Sequence, residues 1–408
     1  MAKPLWTVSL VGLAATLLLT LLGSTTRLLS EGVAGLGWAD AHREAALYGA
    51  LLPGVLALTA SLVGRHAPRA MEGTESIAML LGAGVSARVV GALLQPSNLF
   101  TLVWVAGGAL LAAAGFLFFK SLRAALPPRG VSVVDVARDP LTKGDDACFL
   151  QLKLGAMFLL LGLATQLIVA VAGTFGPLRA GWGLAADHLL LVGFGLPTLF
   201  GLSHLMVPRL SGVPAIAAGA IKGELHSTLL GVTLLTFGFA LGWKPLIIAG
   251  GLVVFFAAFV FMGVLGANIM KNKSKTQRVT PGFAYIPWVF AGVLWVVVGV
   301  LLGLFLNIVP SLFADRLPAL RTIHVHLMLF GGFLQLGLAF AARTLAATPV
   351  PFSKHKWSFY ALNIALGLLA WGALADSATL MAESAGLALL GLAAWFFPLR
   401  RHAELVMG

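Results

Sequence analysis

Long apolar runs separated by short polar or basic stretches set the rhythm of this chain. A run of about 20 apolar residues is enough to cross the hydrocarbon core of a bilayer as a helix. Twelve spans are predicted, at roughly 5–26, 41–63, 75–95, 99–121, 149–173, 183–207, 223–242, 244–268, 284–309, 319–345, 357–374 and 378–398. The first run has no small-residue cleavage site, so it reads as a span and not as a removed signal peptide. The longest stretch between spans, Ser121 to Asp146, is too short for a soluble domain. The fold class is therefore all-α. The chain reads as a polytopic membrane protein of about 12 transmembrane helices, with residues 1–408 as a single integral membrane domain.

The pattern also repeats. His42, His188 and the pair His324/His326 stand near the starts of the second, sixth and tenth spans. His188 follows His42 by 146 residues, and His326 follows His188 by 138. Trp38 and Asp40 lead into His42 as Trp182 and Asp187 lead into His188. His188-Leu-Leu-Leu-Val-Gly193 rhymes with His326-Leu-Met-Leu-Phe-Gly331. The reading is three groups of four helices, roughly 1–125, 147–270 and 280–400, related by a pseudo-threefold axis.

Composition agrees. The chain is 59% hydrophobic and 10% charged, with mean hydropathy +0.96, which is an integral membrane protein and not a soluble one with an anchor. The net charge of +12 does not imply nucleic-acid binding, because the 27 Lys and Arg residues sit mostly in loops. Most fall on one side, which places the N- and C-termini in the cytoplasm. The expected location is a bacterial or archaeal inner (plasma) membrane, crossed many times. Cys148 is the only cysteine, which excludes disulfides, an iron–sulfur cluster and a thiolate zinc site.

Ionisable side chains at bilayer depth are costly and mark functional sites by default. Neighbours two apart on an α-helix are rotated by roughly 200°, so His324 and His326 face nearly opposite sides. One metal ion cannot easily take both, whereas two centres flanking the helix can. Neutral imidazole is a standard haem ligand, so haem, one or two of b type, is the leading cofactor. The alternative is that His42, His188, His324 and His326 are interfacial or satisfied core histidines. Zinc is disfavoured because only Asp40 and Asp187 are at hand to complete a tetrahedral site. These two aspartates read as hydrogen-bond partners of the imidazoles or as helix caps.

Arg27, Arg43, Arg179, Arg316 and Arg321 flank the same face. Arg321 and Arg179 are the candidates for holding haem propionates, since Arg binds carboxylate bidentately; ordinary interfacial arginine is the other reading. Trp38 and Trp182 read as an interfacial belt or a cofactor edge. A second group is His204, Glu224 and His226, neighbours across the loop of residues 207–212. Its first reading is a polar helix–helix contact; a proton-uptake site or a second metal site is the other. His66, His355 and His402 stand among basic loop residues and are expected to be solvated.

At these residues the chain resembles the catalytic subunit I of the haem-copper oxidase superfamily, which includes cytochrome c oxidases and nitric oxide reductases. That family has a twelve-helix, pseudo-threefold core with a His-x-His pair in its tenth helix. The resemblance implies His326 and His42 as the axial pair of a low-spin haem. It implies His324 as ligand of a high-spin haem, with His188 on that haem's distal side; His324 and His188 are then the catalytic residues. His204 follows His188 by sixteen residues, as a second histidine does in the family's sixth helix. The family's adjacent His-His pair is absent, and Val192 stands where oxidases carry a tyrosine, so copper is possible but its site is incomplete. A second resemblance is to NnrS-type haem- and copper-containing membrane proteins linked to nitric oxide metabolism.

The implied function is electron transfer to a small diatomic, O₂ or NO, at a high-spin haem, an oxidoreductase activity. Expected partners are a cytochrome c or quinol donor or a partner subunit, a small gas ligand, and the lipid bilayer. The alternative is a non-enzymatic haem protein, either a bis-His electron carrier or a handler of NO or haem. A secondary transporter would show inverted repeats with broken helices near midplane, and the repeat here is parallel.

Overall fold

The computed structural model describes residues 5, 7–9, 11–12, 38–66, 73–93, 98–125, 143–175, 180–211, 213–271, 285–345 and 352–407. Among these the fold is all-α, with no strand. The elements are α1 (Trp38–Glu44), π1 (Ala45–Leu51), α2 (Leu52–His66), α3 (Thr74–Leu93), α4 (Asn98–Ala125), α5 (Lys143–Gly173), α6 (Ala180–His188), π2 (Leu189–Gly195), α7 (Leu196–Ser211), α8 (Ala218–Leu241), α9 (Lys244–Lys271), α10 (Ile286–Ile308), a 3₁₀ turn (Pro310–Arg316), α11 (Leu317–His326), π3 (Leu327–Leu334), α12 (Gln335–Leu345), α13 (Phe352–Leu374) and α14 (Ala378–Met407).

Eleven stretches among the described residues are long and apolar enough to span a membrane, from Ala41–Ser61 to Ala378–Phe396. They correspond to the second through twelfth expected spans. Most of the first lies outside the described residues; within it, residues 5, 7–9 and 11–12 are helical. Large apolar side chains such as Leu102, Phe116, Phe256, Phe259 and Leu390 stay exposed. On a soluble protein such a surface would be an aggregation hazard; here it faces lipid, and the chain is a multi-pass membrane protein.

The chain divides into two compact units. The first comprises Met1–Leu5, Val55–Leu80 and Gly108–Pro281, and the second Trp6–Gly54, Leu81–Gly107 and Gly282–Gly408.

In the first unit, α8 and α9 form a tight hairpin. Gly242 takes a left-handed conformation, φ 67°, which costs glycine nothing. The N–H of Trp243 then closes the helix end by donating to Gly238 O at 2.8 Å. Gly231, Gly238 and Gly250 remove the side chains between the two axes; a Cβ on Gly250 would fall 2.6 Å from Leu235 N. α5 packs on π2 and α7, with Gly162 against Leu190 and Gly193 against Phe158.

In the second unit, α13 and α14 form another hairpin, turned through Asp376 at φ 50°. α10 packs on α11, π3 and α12 through a glycine face: Gly292 meets Leu336, Gly299 meets Met328, and Gly303 meets the ring of His324. π1 touches π3 in this unit.

Candidate functional site

Three helices carry the candidate histidines, and all three change winding within three residues of a histidine. Runs of seven, seven and eight residues come after them in π geometry. π turns are rare and concentrate at functional sites. Proline stands just beyond the first two runs, at Pro53 and Pro197. It has no N–H for the carbonyl four residues back, which weakens the α ladder there; the third run carries Gly331-Gly332 and is followed by Gln335-Leu336, without proline.

These runs give the repeat a sharper register. His188 and His326 directly precede theirs, and the matching position in the first repeat is Glu44. His42 precedes π1 by three residues, as His324 precedes π3. His42 therefore corresponds to His324, two residues out of register with the alignment on His188.

His326 and His42 come together in the second unit. Their ring centres are 5.7 Å apart with 14° between planes, and the ring of Phe330 lies 5.6 Å from that of His326 at 11°. Nδ1–H of His326 donates to Thr322 O at 2.8 Å. That bond fixes the tautomer and leaves Nε2 with its lone pair. Both rings line one recess with Phe330, Leu362, Leu366 and Leu369. Its lining is mostly apolar.

The spacing of these two rings fits a haem held between them. Two imidazoles holding one metal from opposite sides through nitrogens at about 2.0 Å have ring centres roughly 6 Å apart, close to the separation here. A backbone carbonyl orienting the ligand ring is the usual arrangement around metal-bound histidine.

His324 faces the other way, as the helix rotation requires. Its Nδ1–H donates to Gly299 O on α10 at 2.7 Å. Its ring lies where Gly303 has no side chain; a Cβ there would fall 2.6 Å from Cε1. Gly303→Ala is expected to turn the ring off the Gly299 carbonyl and to lower stability by about 1–3 kcal/mol. Thermal unfolding in detergent checks this, with Gly263→Ala, which meets nothing within 4 Å, as the neutral comparison.

His188 belongs to the first unit. Its Nδ1–H donates to Leu184 O at 2.7 Å, and its ring lies 4.3 Å from that of Phe239. Asp187 does not cap a helix there; its Oδ1 accepts from Gln166 Nε2 at 2.7 Å. Arg321 is exposed. Arg316 donates to Leu374 O at 2.7 Å, Trp182 is exposed, and Arg27 and Arg179 lie outside the described residues.

Of the second group, His204 and Glu224 meet: His204 Nε2 lies 2.9 Å from Glu224 Oε2, both buried. His226 is exposed and does not join them. Gln151, which the sequence did not flag, takes its place by donating from Nε2 to Glu224 Oε1 at 2.7 Å. His355 corrects an expectation. It is 1% exposed against Trp395, not solvated; the side chains of His66 and His402 lie outside the described residues.

Arg88 is the other addition. It is buried with Glu44 and holds that carboxylate through Nε at 2.5 Å and Nη2 at 2.9 Å. Its guanidinium lies over the rings of Trp104, at 4.0 Å, and Tyr48, at 4.9 Å. Glu44 is the residue directly before π1, so this ion pair anchors the helix of His42.

Among the described residues no group of three or more His, Cys, Asp or Glu converges as a metal site. No protein-family model matches the chain, and no curated protein matches it.

Proposed function

We propose that this chain is a haem-binding redox protein of the membrane, with His42 and His326 as the axial pair of a low-spin, b-type haem. The observation that carries the reading is the pair itself: two nearly parallel imidazoles, 5.7 Å between centres, in one apolar recess. Haem iron would supply one-electron chemistry there. The protein's own part is placement. Thr322 O orients the His326 ring, Phe330 and the leucines of α13 exclude water, and the Arg88–Glu44 pair fixes the start of π1.

A second reading adds catalysis: His324 as ligand of a high-spin haem where O₂ or NO is reduced. The Gly299 carbonyl favours it, because it leaves His324 Nε2 as the lone-pair nitrogen. The electron donor would be a cytochrome c or quinol, or a partner subunit. The one-sided basic loops support an inner-membrane protein with cytoplasmic termini.

Reduced-minus-oxidised and carbon monoxide difference spectra of the purified protein, with haem and copper counted per chain, test both readings. The expected result is a sharp low-spin b-type spectrum. A carbon monoxide response in part of the haem adds the open centre at His324, since a bis-His iron has no free position. No response leaves an electron carrier. No haem after haem-replete expression ends the proposal.

A further inference from the structure

The first unit holds a buried polar cluster that the haem reading does not use. Gln151 on α5, His204 on α7 and Glu224 on α8 are 0%, 2% and 2% exposed. They share one level: His204 is four residues from the end of the span Gly181–Pro208, Glu224 six from the start of Ala218–Leu241, and Gln151 seven from the start of Gly144–Gly173. At 1.5 Å per residue these offsets put all three about 6–10 Å inside the same face.

Counting hydrogens shows what the cluster lacks. Glu224 accepts from Gln151 at Oε1 and meets His204 Nε2 at Oε2. Among the described residues its ion-pair partner is His204, with no Lys or Arg within reach. With one hydrogen between Nε2 and Oε2, the cluster carries a full negative charge out of water, which is expensive. A second hydrogen makes it neutral. In either neutral form, acid with imidazole or carboxylate with imidazolium, that second hydrogen requires one on His204 Nδ1. This atom is buried and has no hydrogen-bond partner, and neither has the buried Gln151 Oε1.

We infer that Gln151, Glu224 and His204 form an intramembrane binding site for one exchangeable proton, taken up and released at His204 Nδ1. On uptake a proton adds to Nδ1, the N–H bond at Nε2 breaks, and that hydrogen bonds to Glu224 Oε2, leaving neutral acid beside neutral imidazole. Release runs the same two transfers backwards. Thr198 Oγ1, six residues deeper along α7, is also buried without a partner. Among the described residues the other ionisable side chains on the surrounding helices are Asp145, Cys148, Lys153 and the exposed Asp146 on α5, the exposed Lys222 and His226 on α8, and the exposed Lys244 and Lys271 at the ends of α9, which also contributes the ring of Phe261, 5.1 Å from that of His204. The site is independent of the haem reading and holds with or without a cofactor bound.

Infrared difference spectra of the detergent-purified protein across a pH titration test it. Wild type is expected to show a carboxylic-acid carbonyl band that moves on transfer to D₂O and converts to carboxylate at high pH. Glu224→Gln loses the band, while His226→Gln keeps it. Gln151→Leu removes the hydrogen bond to Glu224 Oε1, so the band moves in frequency, a readout that survives if Glu224→Gln folds poorly. A wild-type spectrum without the band, a band that Glu224→Gln leaves in place, or a Gln151→Leu band at the wild-type frequency would overturn the site.

Discussion

His326→Ala loses the low-spin haem spectrum, and His42→Ala does the same. Each removes one of two axial imidazoles from an apolar recess where no other ligand is at hand. Altering a residue that merely orients a metal ligand costs about 10–100-fold in affinity, so removing the ligand itself costs at least that. Haem content after purification, by pyridine haemochrome, and the sharp reduced band are the readouts. His324→Ala is the informative comparison, because its ring faces α10 and not the recess; it leaves the low-spin band in place. Electron paramagnetic resonance gives a second check on wild type. Ring planes 14° apart give an ordinary rhombic low-spin signal, whereas perpendicular planes give a strongly anisotropic one. If the low-spin band survives His326→Ala, the assignment of the pair fails.

Arg88→Met is expected to destabilise the protein by about 3–5 kcal/mol, because it strands a buried carboxylate. Both partners are 1% exposed, and the arginine also gives up its contacts with Trp104 and Tyr48. Arg43, half exposed and 3.5 Å from Glu44 Oε1, is a poor substitute. The double change Arg88→Met with Glu44→Leu should recover most of the loss, since replacing a whole buried pair by apolar residues is often neutral. Unfolding of the four proteins in one detergent closes the cycle. Equal stability of Arg88→Met and wild type would show that the pair carries no such burden.

The spans were legible because a bilayer demands long unbroken apolar helices, and few other structures need them. The opposite facing of His324 and His326 was legible from helix rotation alone. The same rule, applied to Glu224 and His226, separates them by roughly 200° and rules out both meeting His204. Gln151 was not legible: an uncharged amide in an apolar helix carries no sign of its partner. Glu44 and Arg88 are 44 residues apart on different helices, so no local period links them; the one signal was a lone arginine inside a span. The π runs were hidden because hydropathy reads α and π winding alike.

Those runs have a consequence for how the chain tolerates change in length. A π stretch holds more residues per turn than the helix around it, so it sets the angular phase between the α-helix on its N-terminal side and the one on its C-terminal side. Deleting one residue from Leu327–Leu334 would change the angle of His326 relative to Gln335–Leu345 while leaving every remaining side chain the same. The ring would point away from His42 with no substitution at all. In these three helices the count of residues, more than their chemistry, aims the histidines.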